Sequence, residues 1–172
     1  MGASPGGGGN IMGHFFSGSA VSIIDRNKRV TLPPFVRTVL AHRSGGGNLL
    51  LGRHESDPCL IGYDRSQVPH LAAELERLRL RDEAAGVDAS AHHARLRRIF
   101  GLASEVSVDA RGKALLPELE RRRSGLDGAV LFVGTGATFE LWSLEQAARS
   151  SSATVAEIAR FHFEHSRIPA VA

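Results

Sequence analysis

Two segments of the chain place an aspartate just ahead of a group of arginines and lysines. The first, IIDRNKRVTLPPFVR, covers residues 23–37, and the second, SVDARGKALLPELER, covers residues 107–121. Cations grouped in this way neutralise phosphates, and they are typical of surfaces that bind nucleic acids. The residues that we predict to contact DNA are Arg26, Lys28, Arg29, Arg37, Arg111 and Lys113.

The two segments are copies of one pattern. An offset of 84 residues, the difference between positions 25 and 109, superimposes Asp25 on Asp109. The same offset aligns the Leu-Pro pair at 32–33 with the pair at 116–117. Two copies are too few for a solenoid, so the chain is predicted to contain a tandem pair of units.

Each copy predicts the same series of elements. A β-branched strand leads into a polar turn, DRNK or DARG, where Asn27 and Gly112 tolerate the left-handed backbone of tight turns. A short strand follows and ends at Pro33 or Pro117, because proline cannot donate to a ladder and suits the first turn of a helix. Two further strand-like segments close each copy, NLLL and CLIGY in the first, GAVLFVG and TFELWS in the second.

The rest of the chain is divided around the two copies. Leucines at helical spacing in PHLAAELERLRLRD predict an amphipathic helix, and Asp88 or Ser90 can cap a second one. Four consecutive glycines precede Met12, which is an alternative start, and they predict a disordered opening. The predicted segments are an N-terminal extension at 1–15, a first unit at 16–66, a helical linker at 67–102, a second unit at 103–147 and a C-terminal helix or tail at 148–172.

Composition and charge limit the classes of protein to which this chain can belong. Hydrophobic residues make up 42% of the 172 positions, which is enough for a core. The net charge is only +3, but both lysines of the chain lie inside the copies, so placement rather than total charge points to nucleic acid. A single cysteine, the lack of a secretory pattern and the lack of an apolar run of about 20 residues predict a cytoplasmic protein without membrane contact. The predicted contacts with DNA would make it nucleoid-associated.

Structural roles are an alternative for some of the charged residues. Asp25 and Asp109 repel phosphate, so we assign them to orienting the turns, and an ion pair between Asp25 and Arg29 would fix the first turn in the same way. For the arginines at 121–123, a solvated helix face is an alternative to DNA contact.

No arrangement of residues predicts catalysis, so we expect no catalytic residue and no small-molecule substrate. The glycine-rich GTGATF lies between two strand-like segments, which favours a hairpin over a dinucleotide site. His162 and His165 lack a further ligand cluster, so we predict no metal site and no cofactor. Cys59 stands before an apolar strand, which predicts inert burial.

The paired pattern resembles the MraZ family of bacterial transcriptional regulators. The resemblance is carried by Asp-x-x-x-Arg/Lys followed by Leu-Pro in both copies, and by the closing FELWS segment. It covers roughly residues 16–147, including the linker. The family usually has Gly-Arg at the end of the turn, whereas this chain has Lys28-Arg29 and Gly112-Lys113. Lysine lacks the planar fork of arginine, so reading of guanine by the second copy is left open.

The resemblance implies a fold and a function. The fold is β-rich and α+β, with two AbrB/SpoVT-like swapped-hairpin β-barrel units that form an intramolecular pseudo-dimer. The function is sequence-specific binding of double-stranded DNA by a ring-shaped homo-oligomer, at repeated promoter elements of a cell-division and cell-wall gene cluster. An antitoxin-like regulator of the AbrB type, whose C-terminal tail binds a protein partner, is the alternative.

Overall fold

A computed structural model describes residues 14–166 of the chain, so residues 1–13 of the predicted N-terminal extension lie outside it. Strands and helices follow one another in the order that the repeat predicts. The strands are β1 (Ser19–Ile23), β2 (Arg29–Thr31), β3 (Asn48–Arg53), β4 (Leu60–Tyr63), β5 (Ser104–Ser107), β6 (Lys113–Leu115), β7 (Ala129–Gly134) and β8 (Phe139–Ser143). The helices are α1 (Pro34–Ser44), α2 (Val68–Ala84), α3 (Ala89–Phe100), α4 (Glu118–Arg123), α5 (Leu144–Ala148) and α6 (Ala153–His165).

All of the strand pairs are antiparallel, and the two copies share one sheet. Six strands lie in the order β1-β7-β8-β4-β3-β5, while β2 pairs only with β6. If each strand is exchanged for its counterpart in the other copy, the result is the same strand order, read from the opposite edge of the sheet. The first strand of each copy therefore pairs with the third strand of the other, β1 with β7 and β5 with β3.

The antiparallel strands and packed helices confirm the predicted α+β class. A closed barrel, however, is not formed within residues 14–166. The reason is that β2 and β6 pair with each other in a separate ladder and leave β1 and β5 as the edges of an open sheet. The ladder lies close to those edges, since the hydroxyl of Ser22 in β1 donates to the carbonyl oxygen of Thr31 in β2 at 2.7 Å.

Side chains alternate along the strands and give the sheet two buried faces. One face carries Leu51, Phe132 and Leu141 and packs against the apolar side of α1. The opposite face carries Leu131 and Trp142, which are covered by α5 and α6. Burial on both faces fixes the register of the sheet, because a slip of one residue would exchange the two faces.

The predicted helices and hairpin are present. The linker forms α2 and α3, and Asp88 caps α3 by accepting a hydrogen bond from the backbone N–H of Ser90 at 2.8 Å. GTGATF joins β7 to β8 as a hairpin. Cys59 is buried beside Trp142, and burial raises the pKa of its thiol far above the ordinary value. None of the helices within residues 14–166 has the length and apolarity needed to cross a bilayer.

An arginine with a largely buried side chain connects the two copies. The guanidinium of Arg43, in the last turn of α1, lies 3.3 Å from a carboxylate oxygen of Asp64, which is fully buried at the end of β4. The same group donates to the carbonyl oxygen of Ala137 in the β7–β8 hairpin at 2.8 Å and to that of His14 at 2.8 Å. This cluster joins α1, the start of the described chain, the β7–β8 hairpin and the end of β4.

Candidate nucleic-acid interface

The first turn joins β1 to β2 and is closed by the side chain of Asp25. Oδ1 of Asp25 accepts hydrogen bonds from the backbone N–H groups of Asn27 at 2.9 Å and of Arg29 at 3.0 Å. The backbone N–H of Lys28 donates to the carbonyl oxygen of Asp25 at 2.9 Å. These bonds hold the turn in one compact conformation and leave its basic side chains on the outside.

The second turn, between β5 and β6, repeats this hydrogen bonding. Oδ1 of Asp109 accepts from the backbone N–H groups of Arg111 and Lys113, each at 2.9 Å. The N–H of Gly112 donates to the carbonyl oxygen of Asp109 at 2.9 Å. The sequence repeat is therefore also a repeat of turn geometry.

The hydrogen bonds keep both carboxyl groups ionised. The backbone N–H of Arg29 holds the pKa of Asp25 below its ordinary value, with smaller contributions from Asn27 and Lys113. The backbone N–H of Lys113 lowers the pKa of Asp109 in the same way. At neutral pH each turn therefore contains one anion that accepts two backbone hydrogen bonds.

The left-handed residue of the first turn is not the one predicted from the sequence. Gly112 has a φ of 76°, as expected, but in the first turn the positive φ of 61° belongs to Lys28 and not to Asn27. The chain must reverse immediately before Arg29 so that the N–H of Arg29 reaches Asp25, and this places the left-handed conformation at position 28. A lysine thus occupies a conformation that favours glycine.

Ion pairs connect the two turns to each other. Nη1 of Arg29 lies 3.8 Å from Oδ2 of Asp109, and Nζ of Lys113 lies 3.4 Å from Oδ2 of Asp25. The predicted alternative, an ion pair between Asp25 and Arg29 inside one turn, is replaced by these reciprocal pairs. Each orienting carboxylate therefore also holds a cation from the other copy.

The ladder between β2 and β6 positions these cations. Val30 and Ala114 are buried in the core, so the residues on either side of them point outward. The turns lie at opposite ends of the ladder, because each strand begins where its own turn ends. The outward side chains, which we call the ribbon face, are Arg29 opposite Leu115 and Thr31 opposite Lys113.

Two more of the predicted cations lie at the tips of the turns. Arg26 and Arg111 are exposed, and neither forms an ion pair with a residue of the described range 14–166. Lys28 is near Asp127, with 3.7 Å between Nζ and Oδ1, but the two side chains are 45% and 77% exposed. The ladder and turns therefore bring cations from both copies to one region of the surface.

Arg37 reaches this region from the helix that follows the first ladder strand. A Cβ atom placed on Gly112 would lie 2.5 Å from Nε of Arg37, so the arginine side chain rests directly on the second turn. The arginines at 121–123 belong to α4, where Arg122 forms an ion pair with Glu118 at 2.6 Å. The structure thus places Arg37 against the second turn.

Sequence reasoning missed two members of the ribbon face. Thr31 and Leu115 carry no charge, so they were not singled out, although the offset of 84 aligns them. The period-2 alternation of strands would have placed them on the same side as Arg29 and Lys113. The ion pairs between turns left no such signal, because they depend on how the two copies pack.

No protein-family model matches the chain. The chain is 34% identical over 143 residues to "Transcriptional regulator MraZ" of Bordetella pertussis, and the aligned segment covers 83% of this chain and 92% of that protein. It is 32% identical over 131 residues to the protein of the same name in Marinobacter nauticus, and this alignment covers 76% of this chain and 82% of that protein. The chain belongs to the MraZ family. The resemblance that the paired motifs predicted is confirmed.

The structure clarifies how this chain departs from the MraZ-family turn. The usual glycine falls at the position that Gly112 and Lys28 occupy, where φ is positive. The first turn keeps the same hydrogen bonds with lysine at that position, so it gains a cation at the cost of backbone strain. The two turns are alike in backbone and different in charge.

Proposed function

We propose that this protein is a sequence-specific DNA-binding transcriptional regulator. Its relatives in the MraZ family carry the name transcriptional regulator. The observation that carries the proposal is the pair of like turns, which present cations at both ends of one short ladder. DNA has phosphates along both sides of each groove, so such a spaced pair of cationic turns suits it better than a single patch would.

The ion pairs of the free protein do not oppose this role. The side chains of Arg29 and Lys113 are 42% and 38% exposed, and ion pairs this exposed are worth only about 0.2–1 kcal/mol. Each cation can therefore exchange its carboxylate partner for a DNA phosphate at a small cost in free energy. Before binding, the same pairs hold two long side chains across the ladder and reduce the entropy that binding would cost.

We assign roles to the residues on this basis. Asp25 and Asp109 orient the turns through their backbone hydrogen bonds. Lysine can serve as a phosphate contact at position 113, while Arg29 has the fork that matches the acceptors of guanine. The proposed DNA contacts are Arg26, Lys28, Arg29, Arg37, Arg111 and Lys113.

We further propose that the units at 16–66 and 103–147 form an intramolecular pseudo-dimer of the swapped-hairpin type, joined by the linker at 67–102. The palindromic strand order and the matching turns support this proposal. From the same family resemblance, we propose that the chain forms a ring-shaped homo-oligomer. This oligomer would bind repeated promoter elements of a cell-division and cell-wall gene cluster. Several copies would multiply the weak binding expected of one chain with a net charge of +3.

The test is the salt dependence of binding to a duplex that the wild-type protein has selected from a random pool. Arg26→Ala combined with Arg111→Ala should flatten the slope of log affinity against log salt by about 0.9 for each phosphate that the variant no longer neutralises. Because neither arginine forms an ion pair within the described residues, the fold should be unaffected. The matched control is Arg97→Ala combined with Arg160→Ala, two exposed arginines on α3 and α6 that form no ion pair within residues 14–166. A folded Arg26/Arg111 variant with wild-type affinity and slope would reject the proposal.

An antitoxin-like regulator that binds a protein through its tail is the second candidate. The observation in its favour is that Phe161 and Phe163 of α6 are 56% and 46% exposed. Purification of the full chain from its native host distinguishes the two. A stoichiometric protein partner that is absent when both phenylalanines become serine supports the second candidate, whereas a homo-oligomer with no other protein supports the first.

A further inference from the structure

Leu115 is an apolar side chain on an otherwise polar and cationic surface. It is 53% exposed and lies on the ribbon face directly opposite Arg29. No described element covers it, and it is too exposed to contribute much to the core. Its position leaves it accessible to an occupant outside the chain.

The charges around Leu115 indicate the class of that occupant. Arg29 lies opposite it, and Lys28 lies beside it, since the backbone N–H of Leu116 donates to the carbonyl oxygen of Lys28 at 3.0 Å. Lys113 is two residues away on the same face of β6. An apolar group bracketed by cations is complementary to a polyanion that has apolar groups between its charges.

Duplex DNA has this arrangement in its major groove. The groove is wide enough for a two-stranded β-ribbon, and phosphates line both of its sides. The ladder of β2 and β6 is such a ribbon, with a cationic turn at either end. With the turns at the phosphates, the ribbon face lies over the edges of the base pairs.

Only one base offers an apolar group in the major groove, and that group is the C5-methyl of thymine. We propose that Leu115 contacts the methyl group of a thymine, next to the base pair that Arg29 contacts. The inference rests on the proposed function and adds to it a residue that determines specificity. Thr31, the counterpart of Leu115 in the first copy, presents a single methyl group on the same face.

The experiment replaces thymine by deoxyuridine, which removes the methyl group and leaves base pairing intact. Wild-type protein first selects duplexes from a random pool, and each thymine of the selected duplex is then replaced in turn. At one position the replacement should weaken wild-type binding about fourfold, as expected for one methyl group removed from an apolar contact. Leu115→Ala should bind the thymine and deoxyuridine duplexes equally, with an unchanged salt slope.

Leu119→Ala is the matched control, since Leu119 is 49% exposed but lies on α4 and outside the ribbon face. It should keep the wild-type weakening on the deoxyuridine duplex. Leu115→Ser provides a second variant, whose side chain has no methyl group, and thermal unfolding of each variant checks that it is folded.

The outcomes separate this inference from the proposed function. If the wild type enriches no sequence from the pool, the proposed function fails and the inference fails with it. If the wild type enriches a sequence but no deoxyuridine replacement weakens its binding, Leu115 has no methyl contact and only the inference is overturned. The same conclusion holds if deoxyuridine replacement weakens the binding of Leu115→Ala and Leu115→Ser as much as it weakens that of the wild type.

Discussion

Lys28 allows the backbone strain of the first turn to be measured separately from its charge. Its φ of 61° lies in the left-handed region, where the aligned Gly112 has 76°. Both Lys28→Gly and Lys28→Ala remove the cation and its exposed pairing with Asp127. Only the glycine variant also removes the Cβ atom, so the difference between the two variants reports the strain.

The expected difference follows from two opposing effects. The left-handed conformation costs an L-residue roughly 1–2 kcal/mol. Glycine offsets about 0.5–1 kcal/mol of that gain, because its unfolded chain has more freedom to lose. Lys28→Gly should therefore be more stable than Lys28→Ala by about 0.5–1 kcal/mol, or roughly 2 °C in Tm for a chain of this size.

The measurement is urea unfolding of wild type and both variants at one protein concentration, because assembly would otherwise change the apparent stability. DNA binding provides a second readout. In both variants the slope of log affinity against log salt should be reduced by the same amount, about 0.9. Equal midpoints for the glycine and alanine variants would refute the reasoning, since they would mean that position 28 stores no strain.

Three further perturbations test other parts of the structure. Gly112→Ala should be destabilised in urea by about 0.5–1 kcal/mol through its positive φ, as at position 28, and by an additional steric cost against Arg37 that adding Arg37→Ala should remove. The pKa values of Asp25 and Asp109 are lowered, so their stabilisation is complete above the ordinary carboxyl pKa of 3.8 and is lost as the pH falls through the lower folded values. Acid unfolding of the double Asp→Asn variant should therefore be less steep than that of wild type. Arg43→Met leaves a buried carboxylate without its cation and should cost about 3–5 kcal/mol in urea unfolding.

The local elements were predictable because their signals are local. Pro33 and Pro117 were expected to end a strand and begin a helix, and they are the N-cap residues of α1 and α4. Asp88 or Ser90 was expected to cap a helix, and Asp88 is the residue that does so. Each of these residues acts on backbone groups within a few positions, so that the sequence alone contains the relevant chemistry.

What the residues alone did not reveal depends on contacts between distant parts of the chain. The ion pair of Arg43 with Asp64 joins the end of a helix to the end of a strand, and no spacing rule connects them. The exposure of Leu115 follows from the pairing of β6 with β2, whose residues lie more than eighty positions away. The open sheet has the same origin, because β2 and β6 pair with each other.

The presence of both copies of the turn in one chain allows the two turns to differ. In a symmetric dimer of a single unit, both turns would carry the same residues and the dimer would favour a palindromic site. Here Arg29 faces Leu115 while Lys113 faces Thr31, so the two halves of the ribbon face differ in both the cation and the apolar group. The backbone hydrogen bonds to the two aspartates remain the same, so the two turns keep the same backbone bonding. Binding to DNA through this face would therefore have a direction, and a site that lacks two-fold symmetry would match it better than a palindrome.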